Sequence, residues 1–414
     1  MELKMKKNNS FTNKKLGKLL FTCIVPVFLS IFVFSSCEKI HHKEDTIKIG
    51  LLHSLTGTMA ISEIPLRDAE IVAIEETNER GGVLGRKLEY IEEDGESSPQ
   101  VFAAKMQKLL NEDKVAAVFG CWTSASRIAV KPILEKQYGL LWYPLQYEGM
   151  EASPNIMYVG ASPNQQIVPA VDYCLEHIGK RLFFIGSDYI FPRTAKKIID
   201  AQLVPYDLET VGEVFVPMGH SDFVDIIEQI KEAKPDVVLN TLNGDSNLAF
   251  FQQLSNSGIT ADDIPVMSFS ICEQEVQEIG ADILEGHLTA WNYYQTIVNN
   301  KNTEFVNKYK EMFGQNRVSG DPIASAHTAI HLWAQACEKA GSFDVEAVRI
   351  AAKGLSYDSP LGLVTIDGSN QHLYKPVLIG KINSEGLIDE IWQTPEPVKP
   401  DPYLSSYYWA WGLK

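Results

Sequence analysis

Short apolar runs alternate with stretches of helical periodicity along most of the chain. The runs that predict strands are 47–52, 87–93, 115–119, 181–185, 237–240 and 266–269. Apolar residues recur at three- and four-residue intervals in segments such as 66–80 and 99–110, which predicts helices. Strands that alternate with helices of this length build parallel sheets. The predicted fold class is therefore α/β, with doubly wound parallel-sheet lobes.

The first 36 residues differ in character from the rest. Six lysines precede an apolar run from Leu19 to Phe34, and two serines then lead into Cys37. A basic segment, an apolar segment and small residues before a cut describe a secretory signal. The run is too short for a comfortable membrane span of about 20 residues. We expect residues 1–36 to be a signal peptide and 37–46 a tether.

Cys37 directly after two small residues resembles a bacterial lipobox, in which that cysteine is lipidated and becomes the new N-terminus. Phe34 departs from the lipobox, which usually has an aliphatic residue there. We predict lipidation at Cys37. An uncleaved anchor, or an ordinary signal with an incidental cysteine, remains open.

Charge narrows the range of partners. The formal net charge is −16 although the N-terminal segment is basic, so the body is more acidic still. An acidic body of this size repels phosphate backbones. Nucleic acid is not expected as a partner.

Four cysteines remain when Cys23 leaves with the signal and Cys37 takes lipid. They are scattered and lack the spacing of a zinc or redox motif: Cys121, Cys174, Cys272 and Cys337. An exported protein reaches an oxidising environment in which disulfides can form, but we expect these four cysteines to be small buried apolar residues. Whether they pair stays open at this point.

Four loops that follow apolar strands have an unusual composition. They are 120–124, 142–148, 186–192 and 240–245. The first three combine aromatic rings with neutral hydrogen-bonding groups, the fourth has amide and hydroxyl groups without an aromatic ring, and none has a cationic cluster. Ligands bind at the carboxyl ends of strands in doubly wound sheets. This chemistry suits a small, neutral, polar molecule, although loop aromatics can also simply pack between layers.

Signatures of enzymes and metal sites are weak. Residues 81–87 resemble a phosphate loop but precede a strand and lack its Gly-Lys ending, and residues 219–222 lack the second glycine of a nucleophile elbow. His327 and His331 have the spacing of a zinc pair on a helix, but no glutamate stands beside the first histidine. We favour packed or surface histidines there. The sequence predicts no enzyme, no cofactor and no metal.

Several longer stretches resemble the substrate-binding proteins of ABC-type urea transporters. They are Gly120–Ser124, Tyr143–Gly149, Pro163–Gln166, Gly219–Asp222, Asn243–Asn247, Ala290–Tyr293 and Lys375–Gly380. The similarity covers residues 47 to about 393. The related cytosolic short-chain amide sensor shares part of it, whereas this chain has an export signal.

The resemblance implies a type I periplasmic-binding fold with two lobes and three hinge crossings. The crossings are expected near residues 160–161, 291–293 and 356–359. Lobe 1 would comprise 47–160 plus 293–357, lobe 2 would comprise 161–292 plus 358–394, and 395–414 would form a C-terminal strap.

The implied function is capture of urea between the lobes and delivery to ABC permease subunits. The protein would lie in the periplasm or at the cell surface, held to the membrane through its N-terminal lipid. Short aliphatic amides such as acetamide or formamide are the alternative ligands, and branched-chain amino acids a further one. A sensory binding module and an amide-hydrolysing enzyme are competing classes.

The residues expected to bind the ligand are Trp122, Ser124, Tyr143, Gln146, Tyr147, Asp188, Tyr189, Asn243 and Asp245. By resemblance, Ser124 supplies a hydroxyl, and Tyr143 and Trp122 form walls on lobe 1. On lobe 2, Asp188 or Asp245 would accept a hydrogen bond. Relatives usually carry tyrosine at Phe191, so its missing hydroxyl is expected to influence the choice between urea and a methyl-bearing amide.

Overall fold

A computed structural model describes residues 46–413, so the predicted signal peptide, Cys37 and nearly all of the tether lie outside the described residues. Residues Glu44–Lys414 form one compact unit. Among the described residues, no helix has the length and apolar character required to span a membrane.

The first sheet has five parallel strands in the order β2-β1-β3-β4-β5. Their bounds are β1 Ile47–His53, β2 Leu88–Asp94, β3 Val118–Gly120, β4 Leu141–Tyr143 and β5 Ile156–Tyr158. Strand β3 is buried throughout, as its continuous apolar run predicts for a strand covered on both faces.

The second sheet has seven strands in the order β15-β14-β10-β9-β8-β6-β7. Their bounds are β6 Leu182–Ser187, β7 Gly212–Val216, β8 Val237–Thr241, β9 Val266–Ser268, β10 Leu288–Trp291, β14 Leu378–Ile382 and β15 Ile388–Gln393. Strands β6 to β10 pair in parallel, and β14 and β15 add antiparallel to one edge. A third, antiparallel sheet comprises β11 Ser356–Ser359, β12 Gly362–Ile366 and β13 Leu373–Tyr374.

Helices connect the strands and cover both sheets. Their bounds are α1 Ala60–Glu79, α2 Pro99–Lys108, α3 Ser124–Gln137, α4 Ile167–His177, α5 Ile190–Leu203, α6 Val224–Ala233, α7 Asp245–Asn256, α8 Glu273–Ile279, α9 Ala281–Leu284, α10 Asn300–Phe313, α11 Asp321–Ala340 and α12 Val345–Ala352. The doubly wound α/β class predicted from the pattern is confirmed.

Two lobes form around the two large sheets. One hydrophobic core surrounds the first sheet, and two further cores cover the faces of the second sheet. We call residues 46–159 with 293–375 the first lobe and residues 162–292 with 376–394 the second lobe. The chain crosses after β5 and again after β10, close to two of the predicted crossings.

The third crossing differs from the prediction. Residues 358–374, which the sequence assigned to lobe 2, belong to the first lobe. Leu361, Val364 and Leu373 are buried in its core, and Tyr158 pairs with His372 through a parallel bridge. The chain therefore crosses after Tyr374 and not at residues 356–359, because the apolar face of the small sheet packs on the first lobe.

The C-terminal residues run over the surface and contact both lobes. Pro402 accepts a hydrogen bond from the backbone N–H of Met150, and Pro400 accepts one from Asn370. Leu404 and Ala410 are buried against the second lobe. The four described cysteines are free and buried, as the sequence favoured.

Candidate functional site

A small cavity of about 70 Å³ lies where the lobes meet. Ten of its lining residues come from the first lobe: Ser54, Thr58, Met59, Glu63, Ser97, Pro99, Phe102, Thr123, Ala125 and Ser126. Tyr189 and Met218 close it from the second lobe. None of these lining residues is a lysine or an arginine.

The polar lining comes from the segments that follow strands of the first sheet. Ser54 and Thr58 follow β1, Ser97 follows β2, and Thr123 follows β3 directly before helix α3. Because the carboxyl ends of parallel strands meet at one edge of a sheet, hydroxyl groups far apart in the chain converge there. Glu63, in the first turn of α1, adds a carboxylate.

Most of these hydroxyls are already paired with the protein. Ser97 donates to the Thr56 carbonyl at 2.9 Å, and Thr123 accepts from the Ser126 backbone N–H at 3.0 Å as the N-cap of α3. Thr58 is the exception, since its buried Oγ1 has no hydrogen-bond partner. A buried polar atom without a partner is costly, so Thr58 is a natural contact for a bound molecule.

Unpartnered polar atoms also occur in other segments near the lobe boundary. They are Gln146 Oε1, Ser246 Oγ and Ser270 Oγ. Buried polar groups in proteins nearly always have a partner. These three atoms are therefore further candidates for contact with a bound molecule.

A buried ion network lies beneath the cavity. Arg127 is fully buried and pairs with Glu148 at 2.9 Å and with Glu151 at 2.8 Å. Ser124 donates to Glu148 and accepts from Arg127. Burial alone would lower the pKa of Arg127, but Glu148 and Glu151 raise it well above its ordinary value. The guanidinium charge is therefore engaged by protein carboxylates.

A histidine supports the carboxylate at the cavity wall. His53 Nε2 lies 2.9 Å from Glu70, and His53 Nδ1 lies 3.8 Å from Glu63. Burial acts to lower the pKa of His53, but Glu70 and Glu63 together raise it to about 9. At neutral pH the protonated imidazole compensates negative charge beside Glu63. Glu63 also accepts from the Ser54 backbone N–H at 2.7 Å.

Direct contacts join the two lobes around the cavity. Trp122 Nε1 lies 3.5 Å from Asn243 Oδ1, and Gln146 donates to the Phe269 carbonyl at 3.0 Å. These pairs exist only when the lobes are together, so the structure represents a closed arrangement.

Four of the nine predicted site residues lie at this boundary. Tyr189 lines the cavity, and Trp122, Gln146 and Asn243 form the contacts between lobes. Ser124 and Tyr143 lie in the Arg127 network, where the Tyr143 hydroxyl donates to the Trp122 carbonyl.

Three predicted residues lie elsewhere. Tyr147 stacks on Tyr158 inside the first lobe, with ring centroids 4.9 Å apart. Asp188 is about half exposed and pairs with Arg193, and Asp245 is exposed at the start of α7. The structure does not bring these three side chains to the cavity.

Phe191 is also away from the cavity. It is 3% exposed and belongs to a hydrophobic core of the second lobe. A tyrosine hydroxyl at this position would enter apolar surroundings, so the missing hydroxyl does not explain a ligand preference. The expectation attached to Phe191 is not supported.

Sequence reasoning missed Glu63, Ser54 and Thr58. The available signal was the polar segment after β1, which has the same position relative to its strand as the loops that were singled out. Glu63 was hidden because the helix was expected to begin at Leu66, whereas α1 begins at Ala60.

Comparison with known proteins gives the same architecture. The profile of the family described as "Periplasmic binding protein domain" matches residues 47–408. A Leu/Ile/Val-binding protein homolog 7 of Brucella suis biovar 1 is 24% identical over 331 residues, covering 76% of this chain and 82% of that protein.

Two solved structures are similar in fold. One is a solute binding protein of an ABC transporter from Rhodopseudomonas palustris BisB5 in complex with 3,4-dihydroxybenzoic acid, with a TM-score of 0.77, 24% identity, and coverage of 86% of this chain and 99% of that one. The other is a leucine binding protein from Thermotoga maritima MSB8, with a TM-score of 0.74, 22% identity, and coverage of 84% and 98%.

Proposed function

The chain belongs to the periplasmic binding protein domain family, and on that premise we propose that it captures urea or a short aliphatic amide and delivers it to an ABC permease. The observation that carries the proposal is the cavity of about 70 Å³ between the lobes. Its volume equals about two water molecules at roughly 30 Å³ each. Sites for larger organic ligands usually measure about 300–1,000 Å³.

The chemistry of the lining supports a neutral ligand rich in N–H groups. Urea offers four N–H donors and one carbonyl acceptor. Glu63 and the unpartnered hydroxyl of Thr58 can accept hydrogen bonds, and hydroxyls can also donate. Arg127, the nearby buried cation, is already paired with two carboxylates. A ligand carboxylate therefore has no free cationic partner in the lining.

The named relatives favour a second candidate, a branched-chain amino acid. A leucine binding protein shares the fold, and a Leu/Ile/Val-binding homolog covers most of the chain. Leucine would require the lobes to separate enough to enlarge the cavity severalfold.

Calorimetric titration of residues 44–414 with urea, acetamide, leucine and 3,4-dihydroxybenzoate tests the proposal. At a ceiling of about −1.5 kcal/mol per heavy atom, a four-atom ligand binds at roughly −6 kcal/mol, or tens of micromolar. We expect urea or acetamide to bind in that range, and we expect no binding heat with leucine. Leucine binding with both amides silent would reject the small-amide assignment in favour of the second candidate.

Thr58→Val tests the site itself. It removes the unpartnered hydroxyl and keeps the shape, so we expect affinity for the amide to fall about fivefold to tenfold, as for one lost hydrogen bond. Thr303→Val is the matched control, because Thr303 is exposed on α10. Equal affinities in the two variants would remove Thr58 from the site.

We also propose an extracytoplasmic location with a lipid anchor at Cys37. The secretory pattern of residues 1–36 and the family membership support it. Mass spectrometry of the mature N-terminus decides: a diacylglyceryl adduct on Cys37 is expected, and a chain that still carries residues 1–36 would contradict it.

A further inference from the structure

A cluster of three metal-ligating side chains lies in the first lobe, among residues that do not line the ligand cavity. Glu76 is near the end of α1, and His327 and His331 lie one turn apart on α11. Their ligand atoms lie within 4.8 Å of one another. The histidines are 4% and 2% exposed and Glu76 is 22% exposed. Sequence reasoning favoured packed or surface histidines here because no glutamate stands beside the first histidine, and Glu76 is far away in the chain.

The distances form a tight triangle. Glu76 Oε2 lies 2.9 Å from His327 Nε2 and 2.8 Å from His331 Nε2, and the two Nε2 atoms are 3.2 Å apart. Neutral imidazoles can pair with Glu76 in one arrangement, in which both Nε2 atoms carry hydrogens and Glu76 Oε2 accepts from both. If one Nε2 is unprotonated, its lone pair faces the carboxylate.

A cation at the centre of the triangle can take the place of the two Nε2 hydrogens. All three atoms then direct lone pairs at one ion. A tetrahedral ion with bonds of about 2.0–2.1 Å holds its ligand atoms about 3.3 Å apart. The observed separations of 2.8–3.2 Å need only a small expansion to match. The separations between the three ligand atoms are therefore close to those around a small divalent ion.

The cluster is reachable from solvent. Glu76 and His327 line a cavity of about 220 Å³ that also contacts Arg80, Lys301 and Glu304. Three protein ligands leave a tetrahedral ion one further position, which a water molecule entering through this cavity can take.

Arg80 opposes metal binding in the present arrangement. Its guanidinium lies 2.9 Å from His331 Nδ1 and donates to it, which places the imidazole proton on Nε2. A metal at Nε2 requires the proton on Nδ1 instead. Arg80 is exposed, so it can swing away. Metal binding and the Arg80 contact are thus mutually exclusive.

We propose that Glu76, His327 and His331 form a binding site for a divalent transition metal of the zinc class. Two imidazoles and one carboxylate are ligands that zinc accepts. The ion bridges α1 to α11, and α1 carries Glu63 to the ligand cavity at its other end. The proposal does not depend on which solute the cavity binds.

Zinc titration of the chelator-treated 44–414 chain tests the site, since this range excludes the tether histidines His41 and His42. We expect one equivalent to bind and to raise the unfolding temperature. Cobalt(II) should give the visible absorption of a tetrahedral ion. Glu76→Gln and His331→Ala should each weaken zinc binding more than about 100-fold, beyond the cost of losing a supporting contact. His177→Ala, which removes an exposed histidine beside Glu176, should not.

Arg80→Gln provides a test that a simple hydrogen-bonded cluster would fail. Removing the donor to His331 Nδ1 should strengthen zinc binding, because the amide oxygen of glutamine can accept from Nδ1–H. Circular dichroism and thermal unfolding of each variant verify the fold. Absence of stoichiometric zinc binding in the parent chain, or binding that survives both ligand variants while they stay folded, would overturn the proposal.

Discussion

Ser62 on the first lobe donates a hydrogen bond of 2.7 Å to the carboxylate of Glu275 on the second lobe. Both side chains are buried, and neither lines the cavity. The contact forms only when the lobes are together, so it stabilises the closed form without touching the ligand.

Ser62→Ala should therefore weaken amide binding about fivefold, which corresponds to the roughly 1 kcal/mol of one hydrogen bond. Titration calorimetry measures the affinity, and Ser384→Ala in the exposed hairpin turn is the control. Unchanged affinity in Ser62→Ala would show that this pair does not contribute to closure.

Arg127 should be central to stability. Arg127→Met leaves the carboxylate of Glu148 buried without its partner, a change that typically costs about 3–5 kcal/mol. The exposed pair of Arg193 and Asp188 is expected to contribute much less, because solvent screens its charges. Unfolding of Arg127→Met and Arg193→Met is compared in guanidinium chloride. Urea is not used as the denaturant because it is a proposed ligand. Equal losses would contradict a structural role for the buried network.

His287 should make the fold sensitive to acid. It is buried and accepts from the Val266 backbone N–H, and burial lowers its pKa to about 4. The pKa of His287 in the folded state lies below the ordinary value of about 6.5. The contribution of neutral His287 to the free energy of unfolding is therefore complete above pH 6.5 and is lost as pH falls towards 4.

The loss amounts to roughly 3 kcal/mol. Between pH 7 and pH 4, the free energy of unfolding should therefore fall more in the parent chain than in His287→Gln. His177→Gln, at an exposed position, should behave as the parent. A parallel pH dependence in parent and His287→Gln would contradict the assignment.

Gly160 fixes the first crossing. A Cβ atom there would lie 1.8 Å from the Leu145 carbonyl carbon and 2.4 Å from the Gln146 nitrogen. Gly160→Ala should displace this backbone, reduce stability by about 3 kcal/mol and weaken ligand binding through Gln146. At Gly368 the nearest atom would be 3.6 Å away, so Gly368→Ala is the control. Thermal unfolding measures the stability of Gly160→Ala, and calorimetric titration measures its affinity for the ligand. A Gly160→Ala variant with the stability and affinity of the parent chain would contradict the prediction.

Local pattern located six of the fifteen strands in the described residues. The runs 47–52 and 237–240 became β1 and β8 with ends shifted by one residue, because a buried parallel strand shows itself as a continuous apolar segment. Helix α1 was predicted six residues short, since Pro65 reads as a first-turn residue. The omitted turn contains Glu63 and Ser62, which explains why part of the site was missed.

Contacts between residues far apart in the chain could not be predicted from the sequence pattern. Ser62 and Glu275 are 213 positions apart, and Glu76 is 251 positions from His327. Periodicity shows that each residue lies on a helix but carries no information on which distant helix it faces. Resemblance named Trp122 and Asn243, which lie in contact across the lobe boundary. It also named Asp188 and Asp245, which lie beside the starts of α5 and α7 and do not line the cavity.

The C-terminal strap adds a fourth passage of the chain beside the three hinge crossings. Val398 pairs with Lys375, and Pro402 holds Met150 of the first lobe while Leu404 is anchored in the second. Four passages of the chain between the lobes should limit how far the lobes can separate, more than three would. With fewer open conformations to lose, the protein gives up less entropy when it shuts. This smaller entropy loss matters for the proposed amide ligand, because its four heavy atoms make few contacts to offset the cost of ordering the protein.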